Sequence, residues 1–304
     1  MQPDEVNKPV VVREPCAVKV ASTVLRGGYH CEMVSLPSME LRHGARAAFT
    51  LTNPADKVGA VQALWAQREQ LRIDPAALLE APPQPGRPLL PRLVLPKEVP
   101  RRSPYTPEGH AALMHSIAHI EFNAVNLALD ALWRFAGMPQ DYYRDWLRVA
   151  LEESQHYSLL ADHLAQQGHA YGDFLAHDGL WTMAENTRHD VAARMALVPR
   201  TLEARGLDAT PIIQAKLRKV GTPAALQAVQ ILDTILREEV GHVAIGNHWY
   251  HWLCQRDGLD SSCFHAQMAQ AHGGPALKPP FNLEARRLAG FSQAELDALP
   301  RLVH

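Results

Sequence analysis

Cysteine is scarce in this chain: 4 among 304 residues. Cys16, Cys31, Cys254 and Cys263 show no C-x-x-C spacing, so free thiols in a cytoplasmic protein are the expectation. Long apolar runs are missing as well. No stretch approaches the length needed to span a bilayer, and Met1 to Lys8 is polar and acidic rather than a basic segment leading into an apolar one. Neither a membrane span nor a secretory signal is therefore expected. Charge of one sign is also lacking. A formal net charge of -2 argues against a surface dominated by phosphate contacts and gives nucleic acid no support as a partner.

Histidine and proline are plentiful, at 16 and 23. Most of the histidines must be ordinary, because a metal pair uses only two or three. The prolines concentrate between Pro82 and Pro100, where their density forbids helix interiors and favours an extended connector. Leu89, Leu90, Leu93, Val94 and Leu95 give this connector apolar surface to bury, and Arg87, Arg92, Lys97, Arg101 and Arg102 make it basic. The connector closes an N-terminal region, residues 1–105. That region holds an extended arm or hairpin before residue 40 and helices near 39–50 and 57–71.

Beyond it the pattern is all-α. Thr106-Pro107 and Thr222-Pro223 each read as a cap followed by proline in the first turn. Helices are expected over 106–135, 141–167, 177–205 and 222–254, with Gly206 stopping the third and Pro199 kinking it. Lengths of about 25 to 33 residues with short connections suit an antiparallel four-helix bundle over 106–256. The C-terminal extension, 257–304, offers a short helix from Ser292 with a capping box.

One phrase occurs twice, Glu152-Glu153-Ser154-Gln155-His156 and Glu238-Glu239-Val240-Gly241-His242. Glu and His three apart share a helix face and can meet one ion, so two copies suggest two ions. The first Glu of each doublet is rotated by roughly 100° and is expected to be a solvated or salt-bridged bystander to the ions. A bundle of this kind needs one inward Glu from each of the other two helices. Glu121 sits in an apolar stripe, where an unpaired carboxylate is costly to bury. On the third helix Glu185, Asp190 and Glu203 compete. Glu203 is preferred because it precedes Glu239 by nearly the span that separates Glu121 from Glu153. Tyr157 and Trp181 are weaker candidates as redox neighbours.

The order Glu121, Glu153-x-x-His156, Glu203, Glu239-x-x-His242 resembles the ferritin-like di-iron carboxylate superfamily over about residues 106–254. The phrases His119-Ile120-Glu121, Tyr171-Gly172-Asp173-Phe174, Arg194 to Arg200 and Leu202 to Asp208 resemble the bacterial ferritin-like family called domain of unknown function 455. Glu203-Ala204-Arg205 is similar to the third-helix ligand phrase of the ferritin-like tRNA hydroxylase. The resemblance implies a ferritin-like bundle holding two metal ions, iron before manganese. It further implies a non-haem oxidoreductase that activates dioxygen or peroxide to oxidise or hydroxylate a small organic substrate. The alternatives are a non-catalytic metal-binding or scaffold protein and a tRNA-modifying hydroxylase. The terminal extensions would suit a lid, a substrate channel or a homodimer surface. No catalytic residue beyond the six ligands is assigned.

Overall fold

The computed structural model describes residues 40–80 and 84–299; the arm or hairpin expected before residue 40 lies outside them. The described chain is all-helical, and no strand occurs among the described residues. Helix α1 (Leu41–Thr50) and helix α2 (Pro54–Ala66) come first. The second starts earlier than expected because Asn53 caps it, accepting from the amides of Ala55 and Asp56 ahead of Pro54.

The two Thr-Pro signals act as read. Thr106 accepts from the Gly109 amide to start α3 (Pro107–Arg134), and Thr222 from the Ala225 amide to start α8 (Pro223–Asp257). Between them α4 spans Gln140–Gln166. Gly258, at φ 65, ends α8 in the left-handed region that glycine enters without strain.

The third expected helix is corrected. Instead of one helix over 177–205 there are α5 (Gly179–Asn186), α6 (Val191–Leu197), a π-helical turn (Val198–Glu203) and α7 (Ala204–Val220). Asp190 breaks the run by capping α6, accepting from the Ala193 amide at 3.0 Å. Gly206 does not stop anything, since its conformation is helical and Gly221, at φ 69, ends α7 instead. Short helices α9 (Ser261–Ala271), α10 (Leu283–Leu288) and α11 (Gln293–Ala298) follow, the last with the expected capping box at Ser292.

Helix α3 packs on α4, α4 on α8, and α7 on α8, while α1 and α2 lie on α3 and α4. The buried apolar residues fall into separate clusters. One gathers Leu132, Trp133, Tyr142, Trp146, Ala150, Leu197 and Ile245; another gathers Met114, Ala118, Phe122, Tyr157, Leu160 and Ile235. On α4 and α8 the stretch that separates the two holds Glu153 and Glu239, and on α3 Glu121 lies beside Phe122, at the edge of the second cluster. A polar layer thus cuts the apolar interior in two.

The connector differs from expectation in how it is held. Although Pro85 and Pro91 are buried, Leu89 is 99% exposed and Leu90, Leu93 and Leu95 are exposed too, so its leucines do not anchor it. Polar bonds do. Gly86 donates its amide to Phe49 and accepts from the buried Lys57, Arg87 pairs with Asp178 at 2.7 Å, and Arg92 and Val94 exchange backbone bonds with Ala176.

Candidate metal centre

Helix α3 brings in Glu121, α4 brings Glu153 and His156, and α8 brings Glu239 and His242, each within the polar layer. Glu121 is 4% exposed, and Glu153, His156 and His242 are wholly buried. The i,i+3 spacing turns Glu and His to one side, as the sequence pattern required. His156 Nδ1 lies 3.4 Å from Glu121 Oε2 and 3.4 Å from Glu153 Oε2. His242 Nδ1 lies 2.9 Å from Glu153 Oε1 and 3.6 Å from Glu239 Oε1. One oxygen of Glu153 therefore faces each imidazole. Glu121, Glu153, His156 and Glu239 each bring one ligand atom within 4.8 Å of the others, a group that could hold a metal ion.

Glu203 arrives by a different route. Pro199 has no amide hydrogen to give the carbonyl four residues back, and the chain widens there into the π turn. Thr201 donates its hydroxyl to the carbonyl of Ala196, five residues back, at 2.7 Å. The turn ends at Glu203, whose carboxyl is buried near Glu239 and Glu153 but is not among the four that converge most closely. Its rivals are accounted for elsewhere. Asp190 caps α6, and Glu185 pairs with Arg188 at the surface.

The buried donors and acceptors do not satisfy one another. Glu121 Oε2, both oxygens of Glu153, His156 Nδ1, Glu203 Oε2, Glu239 Oε2 and His242 Nδ1 are all buried without a well-formed hydrogen bond. Each of the six predicted ligands thus contributes at least one stranded atom. Native interiors tolerate few such atoms, because each forfeits its hydration with nothing in return.

Charge makes the same point. Burial, reinforced by the Glu153 charge, raises the carboxyl of Glu121 well above the usual range, and burial with the Glu239 charge does so for Glu203. Burial and Glu153 also raise Glu239. Against the pull of burial, Glu121 and Glu153 push the His156 imidazole up to about 11, and Glu153 with Glu152 raises His242. Glu153 is lowered despite its burial, by His242 and His156. Four carboxylates crowd two imidazoles, which is a cluster short of positive charge.

Glu152 and Glu238 are where the sequence reading falls short. Both are partly exposed at 27%, as their rotation away from the layer implies, but they are not bystanders. Glu152 Oε2 lies 2.7 Å from His242 Nε2, and Glu238 Oε2 lies 2.8 Å from His156 Nε2. The first Glu of each phrase holds the histidine of the other phrase. This pairing order, 152 with 242 and 156 with 238, runs α4 and α8 antiparallel at the site. Each Nε2–H is thereby given to a carboxylate, and each Nδ1 is left free toward the cluster, the arrangement that metal-binding histidines require of their outer partners. The doubled Glu in both copies was the signal available in the sequence.

The two aromatic candidates sit in packing roles. Tyr157 packs on Phe122 and Tyr171, while Trp181 packs on Phe49 and donates to Gln84 Oε1 at 3.1 Å.

Fold and site together define a class: a protein all-helical over its described residues, with a buried cluster of glutamates and histidines that could hold a metal ion. No helix of the described residues is long and apolar enough to cross a membrane. Residues 50–297 match the family described as protein of unknown function (DUF455), and the chain belongs to that family. It is 53% identical over 214 residues to an uncharacterized protein of Haemophilus influenzae, a match covering 68% of this chain and 73% of the relative. No solved structure matches it.

Proposed function

We propose that the chain is a ferritin-like four-helix protein in which Glu121, Glu153, His156, Glu203, Glu239 and His242 hold two metal ions, and that it is an oxidoreductase acting on a small organic substrate. The observation that carries this reading is the set of stranded ligand atoms, at least one on every one of the six side chains. Four carboxylates bear the charge that two divalent ions would neutralise, and neutral imidazoles would then complete the set. Glu153, with one oxygen toward each imidazole, would hold metal together with both His156 and His242. Donors of oxygen and nitrogen without thiolate fit iron or manganese, with iron favoured by the ferritin-like resemblance.

When bound, a redox-active pair supplies electrons and open coordination positions for dioxygen or peroxide. The chain supplies the rest. Glu152 and Glu238 fix the tautomer and direction of the two imidazoles, and the apolar clusters on either side keep bulk water out of the layer. Glu121 and Glu203 enter from two further elements, so that no single helix controls the site.

Dioxygen uptake by protein loaded anaerobically with ferrous iron tests the reading, with zinc-loaded protein and Glu153→Ala as controls. Uptake well above that of free ferrous iron is expected of the wild type alone. Uptake no faster than free iron would favour a scaffold in which the cluster only sets helix register. A comparison of metabolites and tRNA modifications between a deletion strain and its parent would then identify the substrate class.

A further inference from the structure

The C-terminal helices contribute no predicted ligand, yet they close around the one part of the site that is not a straight helix. A π turn is held less well by its own backbone bonds than an α-helix, so something outside it must keep its shape. On one side Pro199 lies on α8 at Gly246, where an added Cβ would stand 2.4 Å from the Pro199 Cβ. On the other side the C-terminal helices take hold. Arg200 gives one nitrogen to Glu295 of α11 and another to Asn247 Oδ1 of α8 at 2.5 Å. Its guanidinium carbon lies 4.8 Å from the ring centre of Phe291, between α10 and α11, and 4.9 Å from that of Tyr250 on α8.

Thr201 has one hydroxyl proton, spent on Ala196, so its oxygen can only accept from His265 Nε2 of α9, which is 2.9 Å away. Just past the turn, Ala204 accepts from Arg286 of α10 at 3.3 Å, and Arg286 is itself clamped on both oxygens of Asp208, at 3.0 and 2.6 Å. Residues 199, 200, 201 and 204 are thus each gripped, while Glu203 Oε2 is buried and free of any bond.

We propose that the C-terminal extension is a positioning device for the metal centre: His265 through Thr201, and Glu295 through Arg200, hold the turn that aims Glu203, and the ion on the His242 side depends on them. This rests on the two-ion reading above. Glu203 belongs with that side because its turn lies on α8, Pro199 meeting Gly246 one helical turn past His242, whereas His156 stands against Glu121.

Cobalt(II) is the probe, titrated anaerobically into the full-length metal-free chain, with visible absorption and equilibrium dialysis as readouts. Wild type should take up two ions. His265→Ala and Glu295→Gln should each keep one ion at wild-type affinity and bind the second at least about tenfold more weakly, the loss typical of an outer-shell partner. His265→Gln, whose amide can still donate to Thr201, should recover most of the second site, which a loss of packing alone would not explain. Two ions bound at wild-type affinity in both His265→Ala and Glu295→Gln overturns the proposal, and so does equal weakening of both ions. A wild type that takes up no cobalt overturns instead the two-ion reading beneath it.

Discussion

Replacing Glu152 by alanine removes a carboxylate that points away from the cluster, and it should nonetheless weaken one ion while sparing the other. Glu152 Oε2 stands 2.7 Å from His242 Nε2, a charge-assisted length. Without it the ring loses the partner that keeps its proton on Nε2 and its Nδ1 toward Glu153 and Glu239. Removing such an outer partner weakens metal binding by about 10- to 100-fold, or about 1.4 to 2.8 kcal/mol at about 1.4 kcal/mol per decade. The other imidazole is untouched, because Glu238 holds His156 at 2.8 Å. A two-phase cobalt titration of the metal-free chain should therefore show one phase shifted and one unmoved. Glu238→Ala should shift the opposite phase, and Glu152→Gln, which keeps an acceptor without the charge, should fall between. Equal weakening of both phases by Glu152→Ala, or no change in either, would refute the crossed pairing.

Two further predictions concern the frame. Asp130 is wholly buried between Arg194, at 2.6 Å, and Arg134. Asp130→Ala leaves the buried guanidinium of Arg194 uncompensated and should destabilise the fold by about 3–5 kcal/mol, read from the urea midpoint. A surface change such as Glu108→Ala should stay under about 1 kcal/mol by the same measurement, and similar effects of the two would count against the buried pair. His115 is held neutral by burial, its pKa lowered to about 4, and its Nε2 accepts from the Gly172 amide at 2.9 Å. Between pH 6.5 and about 4 the unfolded chain binds a proton there that the folded chain does not, so stability falls as pH falls through that window. The advantage of wild type over His115→Leu should shrink by about 1.4 kcal/mol per pH unit across it, and a gap independent of pH would show that the imidazole is not buried neutral.

Much of the site could be read from the chain because it depends on periodicity within single helices. Glu153 with His156 and Glu239 with His242 need only the i,i+3 rule, and the starts of α3 and α8 need only a threonine before a proline. Spacing alone points to Glu203, whose carboxyl is buried with the charges of Glu239 and Glu153, although the single helix expected around it is broken. A capping aspartate at 190 and a proline at 199 break that helix, and neither declares from sequence which of its two roles, cap or brace, kink or π turn, it will take. Glu152 and Glu238 are turned from the layer and ion-paired as expected, but their partners could not be named, because a helical wheel sees one helix and those partners are on another. The grip of His265, Arg286 and Glu295 on the turn before Glu203 was out of reach for the same reason: it joins segments far apart in the chain.

The most direct test is the metal content of the full-length protein purified from iron-supplemented cells or reconstituted anaerobically, measured by elemental analysis against protein concentration. About two irons per chain are expected, falling to one or fewer in Glu153→Ala, whose carboxylate faces both imidazoles. A wild type that holds no metal after reconstitution, or a Glu153→Ala variant that holds as much as wild type, would contradict the assignment of this layer as a metal centre.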